Sequence, residues 1–183
     1  VLMPGRPAPA EEVKINHGGL TLNADLELAG GKTLADGVVL MTHGLLAHKG
    51  MEIMTALKGL LAEWGLNTLA INLALGQDDR HGMYDCPTAH RHRDGDAMVE
   101  IARWIAWLKA EGAGPVTVLG HSRGANQTAR YAAGNPDPAV KRLVLVAPAT
   151  SNPGKPARGY YRRYKKDLAP LLKKARDLMA AGK

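Results

Sequence analysis

Apolar residues recur at every second position from Leu20 through Leu22, Ala24 and Leu26 to Leu28, and the stretch 13–28, VKINHGGLTLNADLEL, is broken by Gly18-Gly19. A period of two predicts half-buried strands and the glycine pair a turn, so 13–28 reads as two short strands. The pattern then changes. GVVLMTHG (37–44) and LNTLAINLAL (66–75) are almost continuous apolar runs, as expected of strands covered on both faces of a parallel sheet. VTVLGHS (116–122) and VKRLVLVAPA (140–149) predict two more strands. Between them the period lengthens to that of a helix. TALKGLLAEWG (55–65) stops at Gly65, a good C-terminal cap. AMVEIARWIAWLKAEG (97–112) puts Met98, Ile101, Ile105 and Leu108 on one face behind Asp96, a candidate N-cap. RGANQTARYAAG (123–134) and DLAPLLKKARDLMAAG (167–182), the latter entered at Pro170, complete the helices. The order β-β-β-α-β-α-β-α-β-α predicts an α/β protein with a mainly parallel sheet flanked by helices.

A chain of 183 residues suits one domain with a real core, here 13–183, behind a leader or disordered segment 1–12. Its 45% hydrophobic and 22% charged fractions are those of a soluble globular protein. No apolar run approaches the ~18–20 residues that cross a bilayer, so no membrane span is expected. The lone Cys86 rules out an internal disulfide. The net charge of +7 is concentrated in KPARGYYRRYKKDLAPLLKKAR (155–176), and no nucleic-acid recognition motif accompanies it. That run reads as a solvated helix face and connecting loop, and nucleic acid is not an expected partner. Ala8 and Ala10 in PAPAEE are placed like the small residues before a signal-peptidase cut, which leaves periplasmic export and a cytoplasmic location both open. The composition leaves the oligomeric state undetermined.

The chemistry concentrates in TVLGHSRGANQT (117–128). Ser122, one of two serines in the chain, stands between Gly120 and Gly124 at the predicted junction of a strand and a helix. A serine hydroxyl is a weak nucleophile that needs a base and an open approach. A sharp strand-to-helix turn exposes it, and the crowding of that turn demands small residues two before and two after. With this composition roughly 0.03 chance matches to G-x-S-x-G are expected, so the motif is specific. The N-terminus of the helix at Arg123 offers a backbone N–H and a positive dipole end to a developing oxyanion.

His43-Gly44 ends a buried strand about 80 residues ahead of that serine. With both elements in place, and in this strand order over roughly 13–150, the chain resembles the α/β-hydrolase superfamily. The resemblance implies a serine hydrolase cleaving a carboxylic ester or related acyl bond through an acyl-enzyme, with no cofactor and no metal. It assigns Ser122 as nucleophile, Gly120 and Gly124 as the elbow glycines, and the backbone N–H groups of Leu45 and Arg123 as the oxyanion hole, with Leu46 as the alternative to Leu45. It gives His43 a structural role, holding the loop after the strand by hydrogen bonds. The partner is a small-molecule acyl substrate.

The superfamily's triad follows the order serine, acid, histidine. The seven histidines here, His17, His43, His48, His81, His90, His92 and His121, all precede Ser122, and Asp137, Asp167 and Asp177 behind it fall in no strand-end loop. The absence predicts that the chain is C-terminally truncated, with acid and histidine beyond Lys183. It also predicts that 143–147, LVLVA, is exposed as a sheet edge and that the chain is aggregation-prone. His90 and His92 are the candidates for a base recruited from upstream, and with Cys86 they form a C-x3-H-x-H cluster that reads as a solvated or substrate-lining loop before it reads as zinc. Tyr160, Tyr161 and Tyr164 stand where a cap over the site would begin. The rival functions are a non-catalytic binding module on the same fold and an acyltransferase.

Overall fold

Five residues of β3 (Val38–Thr42) and six of β4 (Asn67–Asn72) are buried without exception, which is the burial that their unbroken apolar runs require. In the computed structural model these two strands form the centre of a sheet. The structure describes residues 10–85, 87–134, 137–150 and 154–182, and the described residues fall into two compact units, up to Ala149 and from Thr150 onward. Cys86, residues 1–9, Asn135-Pro136, 151–153 and Lys183 lie outside the described residues, and with them most of the segment 1–12 and the cysteine of the C-x3-H-x-H cluster; Glu11 and Glu12 of that segment begin a strand.

In the first unit β1 (Glu11–His17) and β2 (Leu20–Glu27) form the expected hairpin through Gly18-Gly19, both at positive φ. The six described strands order as β1-β2-β4-β3-β5-β6, with β5 at Val116–His121 and β6 at Val140–Val146. The hairpin joins antiparallel through β2 and β4, and the β4-β3-β5-β6 half is parallel. Alternation along β3 sorts the core onto two faces. Leu40 with Leu69, Ile71 and Val118 packs under α2 (Asp96–Ala110), where Ile101, Trp104, Ile105 and Leu108 are buried, and against Tyr131 of α3 (Arg123–Gly134). Met41 with Ala70 and Leu119 packs under α1 (Glu52–Glu63) through Met54.

Two expectations shift. Gly95, not Asp96, is the N-cap of α2; Asp96 is the first helical residue, and its Oδ2 accepts from the Arg93 N–H at 2.6 Å. The carboxylate serves the helix start by holding the segment that enters it, not by capping a first-turn N–H. Helix α1 begins at Glu52, three residues before the apolar period becomes visible. The open edge is as expected: β6 ends the sheet, and Leu143, Val144 and Leu145 stay exposed. In the second unit the basic run holds a helix of its own, α4 (Lys155–Tyr164), with the Tyr160 and Tyr164 rings 4.8 Å apart. There α5 (Ala169–Ala180) carries Pro170 in its first turn. No described helix is long and apolar enough to cross a membrane.

Candidate active site

Ser122 joins β5 to α3 at φ +54°, a left-handed conformation that costs a non-glycine residue about 1–2 kcal/mol. Its N–H donates to the Val146 carbonyl at 2.9 Å, and its carbonyl accepts from Ala125 at 3.1 Å, so the strained residue is held from both sides. The flanking glycines are needed for space. A methyl group on Gly120 would stand 2.5 Å from the Gly124 carbonyl oxygen and 2.6 Å from the Ala125 nitrogen. One on Gly124 would stand 2.6 Å from the Thr42 oxygen and closer still to that of His43. Among the described residues the Ser122 Oγ has no hydrogen-bond partner, and the Arg123 N–H, first of α3, donates to none.

The end of β3 turns at Gly44–Ala47, closed by the Ala47 N–H on the Gly44 carbonyl (3.3 Å), with Leu46 at φ +54°. The carbonyls of this turn are pinned from outside. The Tyr84 N–H holds that of Leu46 at 2.9 Å, Arg80 Nη2 holds that of Ala47 at 2.9 Å, and His43 Nδ1 lies 2.8 Å from that of Gly44. The tautomer of His43 follows from its neighbours. Its Nε2 receives the Leu73 N–H at 3.0 Å and Arg80 Nη2 at 3.1 Å, both obligate donors, so Nε2 is bare and Nδ1–H donates to Gly44. Burial holds this imidazole neutral by pushing its pKa down to about 3. The peptide group is planar and trans, so a Gly44 carbonyl fixed on one side turns the Leu45 N–H to the other. The N–H groups of Leu45 and Leu46 donate to nothing among the described residues.

Ser122 and this turn meet across Gly44, where a methyl would lie 3.3 Å from the serine Cβ and 3.4 Å from His121 Nδ1. Beside them opens a cleft of about 260 Å³. Leu45, Leu46, Leu73 and Leu75 make its apolar wall, and Leu75 too is at positive φ. His90, His92, Asp94, Arg123 and Gln127 make the polar one. The His90 and His92 rings pack against each other and against Tyr84, with centroids 4.7–5.6 Å apart. Neither histidine pairs with a carboxylate among the described residues. Asp94 is occupied by Arg123 at 2.9 Å and by Arg130, and these cations hold its carboxyl below the usual range against the opposing effect of burial. No group of three metal-binding side chains comes together among the described residues.

The structure thus brings Leu45, Arg123, His90 and His92 to one cleft beside Ser122, and sets His43 behind the turn. It adds residues that the sequence pattern did not single out. Arg80, nearly fully buried, sends its guanidinium to four main-chain and side-chain acceptors from neighbouring segments besides His43. Glu100 of α2, also buried, accepts from the Ala74 N–H at 2.8 Å, and burial raises its pKa to about 7. The one available signal for Glu100 was its position four residues after Asp96 on a helix whose buried face it borders; Arg80 had none.

A sheet with this strand order, helices on both faces and a serine on the tight turn after β5 defines an α/β-hydrolase fold. The chain belongs to the serine aminopeptidase S33 family, whose model matches residues 33–180. No curated protein matches it. Among solved structures it is similar to Est1E from Butyrivibrio proteoclasticus, at 21% identity and TM-score 0.61 over 75% of this chain and 51% of that one. It is also similar to the α/β hydrolase GrgF from Penicillium sp. sh18 (21%, 0.67, 96% and 56%) and to the esterase Pf2001 from Pyrococcus furiosus (22%, 0.61, 82% and 55%). The chain spans about half the length of these relatives.

Proposed function

We propose that this chain carries the nucleophile and oxyanion hole of a serine hydrolase acting on carboxylic esters or related acyl compounds. Ser122 Oγ attacks the acyl carbonyl carbon, its proton passing to a base, and the carbonyl oxygen becomes an oxyanion held by the N–H groups of Leu45 and Arg123. Collapse of that intermediate breaks the bond to the leaving alcohol, which departs with a proton. Water then adds to the acyl-enzyme and releases the acid. The apolar wall of Leu45, Leu46, Leu73 and Leu75 suits the acyl group. His90 and His92 are assigned to the substrate wall rather than to the base, because an imidazole base needs a partner that orients it and neither has a carboxylate.

The observation that carries the reading is the strained Ser122 between two glycines that tolerate no side chain, next to main-chain donors that have no partner among the described residues. Two of the similar structures bear the name esterase or Est1E, which fits the same reaction class. The test is covalent labelling of the intact native protein by a fluorophosphonate, with Ser122→Ala beside it. Labelling that disappears in the variant supports the hydrolase. A folded native protein that takes no label sinks it and leaves a binding module on this fold.

A further inference from the structure

The guanidinium of Arg80 is buried, donates to neutral acceptors, and feels the buried Glu100 carboxyl electrostatically. Its Nε donates to the Leu73 carbonyl at 2.8 Å and Nη1 to that of Gly82 at 2.5 Å. Its Nη2 faces the Ala47 carbonyl at 2.9 Å, Asn72 Oδ1 at 3.1 Å and His43 Nε2 at 3.1 Å. Taking an ion out of water is costly, and a neutral residue filling the same space would avoid that cost. A charged group kept here needs a reason beyond filling space. The contacts supply one, since they come from the ends of β3 and β4, from the turn after β3, and from the loop that carries Arg80 itself.

We propose that Arg80 is a positioning residue for the oxyanion-binding turn: it fixes the Ala47 carbonyl and the tautomer of His43, and through them aims the Leu45 N–H into the cleft. This rests on the hydrolase reading above. The turn can face the cleft with either its donors or its carbonyls, because one peptide flip exchanges them. Arg80 acts on the turn at two points, anchoring its far end and supporting the His43 tautomer that holds the Gly44 carbonyl. Its Nη2 holds Ala47 O directly. With the Leu73 N–H it also keeps a proton off His43 Nε2, which leaves the imidazole's single proton on Nδ1, against the Gly44 carbonyl. A lysine would keep the charge and lose the fork that reaches these acceptors together.

The experiment compares hydrolysis of an ester with that of its thionoester, in which sulfur replaces the carbonyl oxygen and accepts hydrogen bonds poorly. A working oxyanion hole favours the oxygen ester, and a misaimed one loses that preference. Rates are counted per site titrated with a fluorophosphonate, so that unfolded protein does not enter. Arg80→Lys and Arg80→Gln are expected to lower kcat for the ester about tenfold to a hundredfold with KM nearly unchanged, and the thionoester much less, so that the ratio falls. Equal slowing of both substrates overturns the proposal and makes Arg80 a residue of stability alone. Should neither variant fold, nitrogen-15 spectra of the native protein decide: a protonated Nδ1 on His43 is expected, and a protonated Nε2 overturns it. Ser122→Ala separates the two readings. If it abolishes hydrolysis while the Arg80 variants keep the ratio, only Arg80's role fails; if it hydrolyses normally, the active-site reading fails and Arg80's role falls with it.

Discussion

The carbonyl oxygen of His43 lies against the Cα of Gly124, so closely that no side chain fits between them. The end of β3 that leads into the Gly44–Ala47 turn and the first turn of the helix that follows Ser122 are thereby set at main-chain contact. Gly124→Ala forces them apart. Overpacking of this kind costs about 2–3 kcal/mol, which lowers Tm by roughly 5–10 °C in a protein of this size. Differential scanning calorimetry measures the shift, and ester hydrolysis falls with it because the two donors separate.

Ser122 holds a conformation that glycine adopts freely. Ser122→Gly is therefore expected to stabilise the fold by about 1 kcal/mol while abolishing hydrolysis. Ser122→Ala abolishes hydrolysis without that gain, because alanine keeps the Cβ. Denaturant midpoints of the two variants side by side check the difference, and equal midpoints would show that the turn stores no strain.

Glu100 gives a pH dependence with a defined sign. Its folded pKa is about 7 against 4.5 in an unfolded chain, because burial disfavours the carboxylate. Below pH 4.5 both states are protonated and it costs nothing. Between 4.5 and 7 the unfolded chain ionises first and stability declines as pH rises, to a penalty of about 3 kcal/mol above pH 7. His43 acts in the opposite sense. Its folded pKa of about 3 lies below the usual 6.5, so stability rises with pH from 3 to 6.5. The two slopes offset each other between 4.5 and 6.5. Glu100→Gln keeps an acceptor for the Ala74 N–H and removes one slope. The variant should match the native protein at pH 4.5 and exceed it in unfolding free energy by up to about 3 kcal/mol at pH 8.

His90 and His92 line the cleft, where the proposed hydrolase reading assigns them to the substrate wall. Replacing either with glutamine is expected to raise KM about threefold to tenfold, and to leave kcat and fluorophosphonate labelling within about a factor of three. A loss of labelling by orders of magnitude in either variant would identify that histidine as the base.

At the edge of the sheet, exposed Leu143, Val144 and Leu145 belong to an apolar strand paired on one side, by β5, among the described residues. Such edges pair with other chains. Val144→Lys should reduce aggregation of the 183-residue chain, read by light scattering at fixed concentration, with no change in the helix and strand content seen by circular dichroism.

Much of this was visible in the sequence because it depends on local rules. The runs 37–44 and 66–75 announce buried strands, and Gly120, Ser122 and Gly124 announce a turn whose crowding only glycine meets. The rest depends on residues far apart in the chain. Arg80 stands in GQDDRHG, where it resembles Arg91 and Arg93 of the same polar loop. Only the folded sheet brings the carbonyls of Ala47, Leu73 and Gly82 around it. Helix α4 escaped because Pro156 and Gly159 weaken the local helical signal. Asp96 lies one position inside the cap because a carboxylate near a helix start can bind the entering segment from the first turn as well as cap it.

Leu46, Leu75 and Ser122 all sit at positive φ, and they come from the ends of three neighbouring strands, β3, β4 and β5. Such a φ costs a non-glycine residue roughly 1–2 kcal/mol and persists where the surrounding structure holds it. The cleft is therefore a shape that the sheet enforces at its carboxyl end, and it relaxes as soon as the ends of those strands fray. Catalysis should fade at a lower denaturant concentration than the sheet itself, which makes enzymatic rate a more sensitive gauge of strand-end order than any spectroscopic signal averaged over the whole fold.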